Sequence, residues 1–341
     1  MPRIARFIRD NQPSVYHIVS RTALQGLPIK DRDNDFLLGL IKKLSQFYFV
    51  DVLGFALLGN HFHLVIRMYP ESDPTDDEIK KRLHKYYGDE LNVTNVLISD
   101  YRKRLTSLGA YVKDIKQGFT RYFNKKYNRR GFFWGDRFKS MIVQDGLSLV
   151  NLLAYVDLNP IRAGIVKKPE DYRWCSLGYH TQTGNKDGLL SIDFGMKEWN
   201  EFDPREIVRK YRQFVYETGA AESQESGVSL RPIGAYAPEG GQGTVKKVSG
   251  VRGQGTVKSL KRGIDPKIVE KARKKGYKIS RADRFRYRCR YFTDSGVIGG
   301  KDFVQEVFDQ VKHLLGSKDE RKFTPVGGVE GLYSMKRLGQ T

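Results

Sequence analysis

The first periodic stretch of the chain is "VYHIVSR", residues 15–21, whose length and β-branched apolar residues predict a strand. The period then changes. In "DRDNDFLLGLIKKLSQFY", Phe36, Leu37, Leu40, Ile41 and Leu44 recur every three or four positions, which predicts a helix capped by Asp31 or Asp33. "FVDVLGFALLGN" and "HFHLVIRMY" read as two further strands, joined at Gly59-Asn60 by a tight turn or across a bulge. Residues 71–100 are locally acidic, contain Pro74, and read as a surface insertion with short helices. Helical spacing returns in "LGAYVKDIKQGFTRYFNKKYN" through Tyr111, Ile115, Phe119 and Tyr122, and "FFWGDRFKSMIV" reads as the next strand. Strand, helix, strand, strand, helix, strand is the order needed by a ferredoxin-like antiparallel sheet of the α+β class. A helix, "GLSLVNLLAYVDLN", then starts at Asp145 and ends near Asn159, because Pro160 follows.

This pattern fades near residue 180. Residues 181–220 hold a helical extension, "PREIVRKYRQFVYETG", and residues 221–263 are rich in Gly and Ser and poor in large apolar side chains, as a linker is. Within it "GQGTVK" occurs at 241–246 and again at 253–258, too few and too short for a solenoid and consistent with a duplicated spacer. Residues 264–341 form the last unit. Its helix "KDFVQEVFDQVKHLLG" lines up Phe303, Val304, Val307, Phe308, Val311, Leu314 and Leu315, enough apolar surface to dock on a small partner element.

Composition changes the picture most through charge. The 341 residues carry 60 Lys+Arg against 39 Asp+Glu, a net +21, which points to a polyanionic partner, with nucleic acid foremost. No apolar run of ~18 residues is present for a membrane span, and the basic start "MPRIARFIRD" is not an apolar signal segment, so the expected location is the cytoplasm. Two cysteines, Cys175 and Cys289, argue against a disulfide framework and a cysteine-rich zinc site.

The charge is concentrated. Residues 121–139 hold seven Lys/Arg against one Asp, interleaved with Tyr122, Phe123, Phe132, Phe133 and Trp134, so cations can hold phosphates while rings stack on bases. Phe132 and Trp134 read equally well as core residues of a strand. Arg137 and Lys139 share a strand face, and with Arg162, Arg121 and Lys125 they are the expected DNA contacts. Residues 245–290 carry 17 Lys/Arg against 3 Asp/Glu, an excess of 14. There "RFRYRCRYF" places Arg284, Arg286, Arg288 and Arg290 at alternate positions, either an arginine face turned to nucleic acid, with Arg286 and Arg288 at its centre, or a solvated basic segment.

Candidate chemistry starts from "GNHFHLVI". In an extended run His61 and His63 point to one face and Phe62 and Leu64 to the other, and two neutral imidazoles on one face are half of a metal site. A pair of hydrogen-bonded histidines near a strand end is the plainer reading of the same residues. In "AYVDLNPIRAG", Tyr155 and Asn159 stand four residues apart on a helix, where a phenol and a carboxamide can project together as nucleophile and oxygen ligand; Tyr155 taken alone reads as an interfacial tyrosine.

Three stretches together, "LLGNHFHLVI", "GFFWGDRFKSMIV" and "YVDLNPIRAGIVKKPEDYRW", resemble the single-tyrosine HUH transposases of the insertion-sequence-200-like type, and within them the REP-associated tyrosine transposases. The resemblance spans residues 10–180, within a catalytic domain drawn as 1–180 that includes the 71–100 insertion. It implies an HUH nuclease fold in which His61, His63 and Asn159 hold a divalent metal, Mg²⁺ or Mn²⁺, and Tyr155 is the nucleophile. In insertion-sequence relatives the position of Asn159 is usually glutamine. The implied activity is nicking and rejoining of single-stranded DNA at hairpin or repeat elements through a 5′-phosphotyrosine, by a monomer or homodimer. A ferredoxin-like sheet with basic and aromatic residues also describes a non-catalytic single-strand nucleic-acid binder, and a domesticated repeat-binding transposase is a third possibility.

Overall fold

A computed structural model of the chain describes residues 7–9, 11–192, 202–219, 264, 297–312, 324–325, 331 and 333–334. Strand β1 (Ser14–Arg21) is central, because both its edges are used: β3 (His61–Met68) and β4 (Lys139–Val143) each pair with it antiparallel. β2 (Val50–Leu57) pairs antiparallel with β3, with an irregularity between Val52 and Gly54. The turn joining β2 to β3 is tight, closed by Leu58 N–H donating to the His61 carbonyl at 2.8 Å. The chain is therefore α+β with a mostly antiparallel sheet, and the spatial order β2-β3-β1-β4 is that of a split β-α-β unit.

Helix α1 (Asp31–Phe47) buries Leu37, Ile41, Leu44 and Phe47, while Phe36 stays 38% exposed and stacks on Tyr122 with ring centroids 3.7 Å apart. Its N-cap is Lys30 rather than an aspartate. Asp33 works from inside the first turn, accepting the Lys30 N–H at 2.9 Å. The same carboxylate accepts from Tyr127 Oη at 2.7 Å, Tyr122 Oη at 3.1 Å and Lys126 Nζ at 2.5 Å, tying the start of α1 to the end of the long helix over Leu108–Lys126.

The 71–100 region contains α2 (Asp76–Tyr87) and the start of α3 (Asn95–Leu105), capped by Thr75 and Thr94. Within it Ile79, Leu83 and Ile98 are buried and belong to the main core. The helix Leu108–Lys126 is α4. The strand expected over "FFWGDRFKSMIV" is shorter than its pattern: only Lys139–Val143 is extended, and Trp134 makes a single bridge to Thr22. Phe133 and Trp134 are adjacent yet both buried against Phe119 of α4, at 5.1 and 5.5 Å between ring centroids, and a regular strand would send them to opposite faces. Phe132 is 75% exposed, and Arg137 lies outside the strand that carries Lys139.

After β4 comes α5 (Leu147–Asp157), buried along almost its whole length. Pro160 does not stop the chain turning. Leu158 keeps right-handed helical angles, and α6 (Asn159–Arg162) continues as a short turn in which proline sits where no N–H donor is needed. Helices α7 (Ser176–Thr183) and α8 (Pro204–Gly219) follow, and α8 packs on α5. Their junction is polar at its centre: Asp157, 0% exposed, accepts from Tyr211 Oη at 2.6 Å and Leu177 N–H at 2.9 Å.

The described part of the C-terminal region joins the same sheet. β5 (Val297–Gly299) pairs parallel with β4 through Ile142–Val297 and Val143–Ile298, and β7 (Tyr333–Ser334) and β6 (Thr324–Pro325) complete the order β2-β3-β1-β4-β5-β7-β6. Helix α9 (Lys301–Val311) buries Val304, Val307, Phe308 and Val311, and buried Arg9 reaches it through Glu306 and Gln310. The linker 221–263, Cys289 and the basic segment with Arg284, Arg286, Arg288 and Arg290 lie outside the described residues, as do Leu314 and Leu315. Among the described residues no helix is long and apolar enough to cross a membrane.

Candidate active site

Strand alternation divides the sheet into two chemically different faces. Phe62 points to the side of α4, where its ring lies 5.3 Å from Trp134, so His61 and His63 point to the other. Register extends this second face across the sheet: His63 pairs with Val19, Val19 with Lys139, and His61 with Arg21. Helix α5 covers it. Close approach is possible because β2 offers Gly54 there, where an added Cβ would lie 2.5 Å from Leu153 Cδ2.

The structure brings His61, His63 and Tyr155 together. The histidine ring centroids are 5.1 Å apart, and the Tyr155 ring stands edge-on to His63 at 5.8 Å. A third imidazole, His17 of β1, joins them: its Nε2 is 2.9 Å from His63 Nδ1, and its ring lies 6.4 Å from Tyr155. Sequence reasoning missed His17. The signal was present, since a histidine in the middle of the apolar run "VYHIVSR" needs a polar partner once the strand is buried.

Arg162 sits over the Tyr155 ring, Cζ 4.1 Å from the centroid, and donates to the Tyr155 carbonyl. Asn159 turns its amide N–H₂ back onto the end of α5, 3.2 Å from the Tyr155 carbonyl and 3.3 Å from that of Val156. Two side chains thus occupy backbone acceptors that the helix end leaves open, and they fix the turn that carries Tyr155.

Burial sets the charge of the histidines. It holds His61 down to about 3, aided by the Arg21 cation, and holds His63 well below the usual imidazole range, aided by His61, His17, Arg162 and Arg21. Both are neutral at physiological pH, the form that binds metals. His61 Nδ1 faces Asn60 Oδ1 at 2.6 Å, and an amide oxygen only accepts, so the proton is on Nδ1 and the Nε2 lone pair is available for a cation. On donor chemistry the pair fits a divalent ion. Among the described residues no group of three or more His, Cys, Asp or Glu is placed to hold a metal.

The expected DNA contacts separate in space. Arg162 and Lys139 lie on the histidine side, Lys139 by its register with Val19 and His63. Arg121 and Lys125 are exposed on α4, which covers the opposite face, and Arg137 is exposed just before β4. Arg286 and Arg288 fall outside the described residues.

No family model matches the chain, and no curated protein sequence matches it. Among solved structures the chain is distantly similar to a REP-associated tyrosine transposase bound to a REP hairpin, at 15% identity and a TM-score of 0.38, over 57% of this chain and 91% of that one.

Proposed function

We propose that the protein is a metal-dependent DNA strand transferase of the single-tyrosine HUH type, which nicks and rejoins single-stranded DNA at hairpin elements. The observation that carries this reading is the packing of the Tyr155 phenol against the neutral imidazole of His63, beside His61 and beneath the Arg162 guanidinium. The net charge of +21 supplies the attraction for a phosphate backbone.

In this reading Tyr155 Oη attacks a backbone phosphorus. A phosphorus–oxygen bond to tyrosine forms as the bond to the 3′ oxygen breaks; the phenol proton passes to solvent, and the departing oxygen takes up a proton to become a 3′-hydroxyl. A free phenol has a pKa near ~10 and is a weak nucleophile at neutral pH. Arg162 helps, because its guanidinium, 4.1 Å from the ring centroid, places a positive charge beside the phosphate that the phenol attacks. Asn159 and Arg162 hold the turn that aims the ring. His61, His63 and the Asn159 amide oxygen would hold Mg²⁺ or Mn²⁺, an ion that would supply charge to polarise phosphate oxygens. A second strand's 3′-hydroxyl attacking the phosphotyrosine reverses the step and rejoins DNA.

The test is incubation with Mg²⁺ and end-labelled single strands from the DNA flanking its own gene. The expected result is a covalent adduct on Tyr155 and a free 3′-hydroxyl, with the full duplex left intact. Tyr155→Phe should bind the same strand as the parent does and form no adduct. Cleavage surviving in that variant would move the nucleophile to water or another residue. Binding without any adduct in the parent identifies a nucleic-acid-binding module instead.

A further inference from the structure

His17 has no role in the reaction as written. It and His63 are deeply buried, at 1% and 3% exposure, on the neighbouring strands β1 and β3. Their rings lie nearly parallel, 13° between planes with centroids 5.2 Å apart, and Tyr155 stands edge-on to both. The contact between His17 Nε2 and His63 Nδ1, at 2.9 Å, is thus closed off from solvent.

The hydrogen bond between these two ring nitrogens contains one proton, and its location decides what His63 can do. With the proton on His17 Nε2, His63 Nδ1 is the acceptor, and its other nitrogen carries the N–H and has no lone pair to offer. With the proton on His63 Nδ1, His17 accepts, and His63 Nε2 is a ligand. Asn60 leaves His61 no such choice, because the amide oxygen it presents only accepts. His63 faces a partner that can do either.

We propose that His17 is a positioning residue: it accepts the Nδ1 proton of His63 and so keeps the His63 Nε2 lone pair directed at a divalent cation. It acts through His63, since its own Nε2 is committed to that contact, and His17, His61 and His63 do not form a three-ligand group among the described residues. The inference rests on reading His61 and His63 as metal ligands; strand transfer by Tyr155 is a separate matter.

The experiment titrates the full chain with Mn²⁺, without DNA, and follows the free-ion paramagnetic resonance signal. His17→Phe keeps a ring in the buried space but offers no acceptor, whereas His17→Gln offers an amide oxygen. Loss of an outer partner of a metal-bound histidine typically lowers metal affinity about 10- to 100-fold, and that loss is expected for Phe with substantial recovery for Gln. A second measurement needs no variant: long-range proton–nitrogen spectra of the histidine-labelled parent with Zn²⁺ should show His63 protonated on Nδ1. Parent-like Mn²⁺ binding by the Phe variant, an equal loss in a folded Gln variant, or a metal-bound His63 protonated on Nε2 would overturn the inference. Should the Phe variant fail to fold, the spectrum of the parent decides. A parent that binds Mn²⁺ with this tautomer but forms no DNA adduct leaves the inference standing and removes the strand-transfer reading.

Discussion

Gly54 sets how near the nucleophile helix comes to the sheet. Its missing side chain faces Leu153 and Ser176, and Leu153 is 1% exposed with little room to move. Gly54→Val raises strand propensity by at most ~1 kcal/mol, while overpacking a dense core costs about 1–3 kcal/mol. A net destabilisation is therefore expected, read as a lower midpoint of thermal unfolding. Tyr155 lies two residues beyond Leu153 on α5, so adduct formation should fall more than hairpin binding does. An unchanged adduct rate in a destabilised variant would show that the position of the helix does not govern the chemistry.

Among elements, the α1–α4 junction and the β4 edge each make a contribution to stability that can be tested. Burial alone would raise the Asp33 carboxyl, but Lys126, the Lys30 N–H, Tyr127 and Tyr122 together hold it below the usual carboxylate value. A group lowered in the folded state contributes stability above its unfolded pKa and loses it as pH falls through the folded one. Asp33→Asn should cost about 1–3 kcal/mol near pH 7, by analogy with other buried bonds to charged groups, and progressively less below about pH 4, as urea unfolding at the two pH values would show. At the other edge, β5 covers β4 and brings in Val304, Val307 and Phe308. Deleting residues 264–341 uncovers that strand as well as removing charge. The truncated chain should melt lower and self-associate, as light scattering would detect, so weakened DNA binding by it cannot be assigned to missing cations alone. Arg286→Gln with Arg288→Gln is the cleaner test: if both touch phosphates, the salt dependence of single-strand binding should flatten by about 0.7 in log–log slope for each phosphate no longer neutralised.

Across the whole molecule, buried ionisable groups oppose one another. Below about pH 6.5 the unfolded chain protonates His61 and His63, whereas the folded one keeps His61 neutral down to about pH 3 and holds His63 well below the usual imidazole range, so stability rises with pH towards 6.5. Asp157 acts in reverse. Burial raises its carboxyl to about 6 from 3.8, so the folded state binds the proton more tightly and stability falls between about pH 4 and 6, by about 3 kcal/mol at most. His61, lowered from 6.5 to about 3, is displaced further than Asp157, and His63 is lowered in the same direction, so the histidines should win. In chelator, thermal unfolding of the parent is expected to move upward from pH 4 to 6.5, and Asp157→Asn should move upward more steeply because the opposing group is gone. A parallel pH profile for the two proteins would show that Asp157 does not titrate in this range.

Local pattern determined a good deal by itself. The period of apolar residues marks β1, α1, β2, β3 and α4 in order, because each element shows one face to a core and the period of that face is a property of the chain alone. It also places His61 and His63 on one side of β3. Elsewhere local rules were outweighed: packing of Phe133 and Trp134 on α4 shortened β4, and Pro160 began a new helical turn where it was expected to end one. Three matters belonged to tertiary structure. The pairing of β1 with β3 brought His17 to His63 across 46 residues of chain. The fold of α5 onto Gly54 set Tyr155 against both rings, and the return of β5 to β4 placed residues 155 positions apart side by side. None of these leaves a periodic trace, because contacts between distant segments depend on how faces meet, and the spacing of residues along one segment does not encode which other segment will cover it.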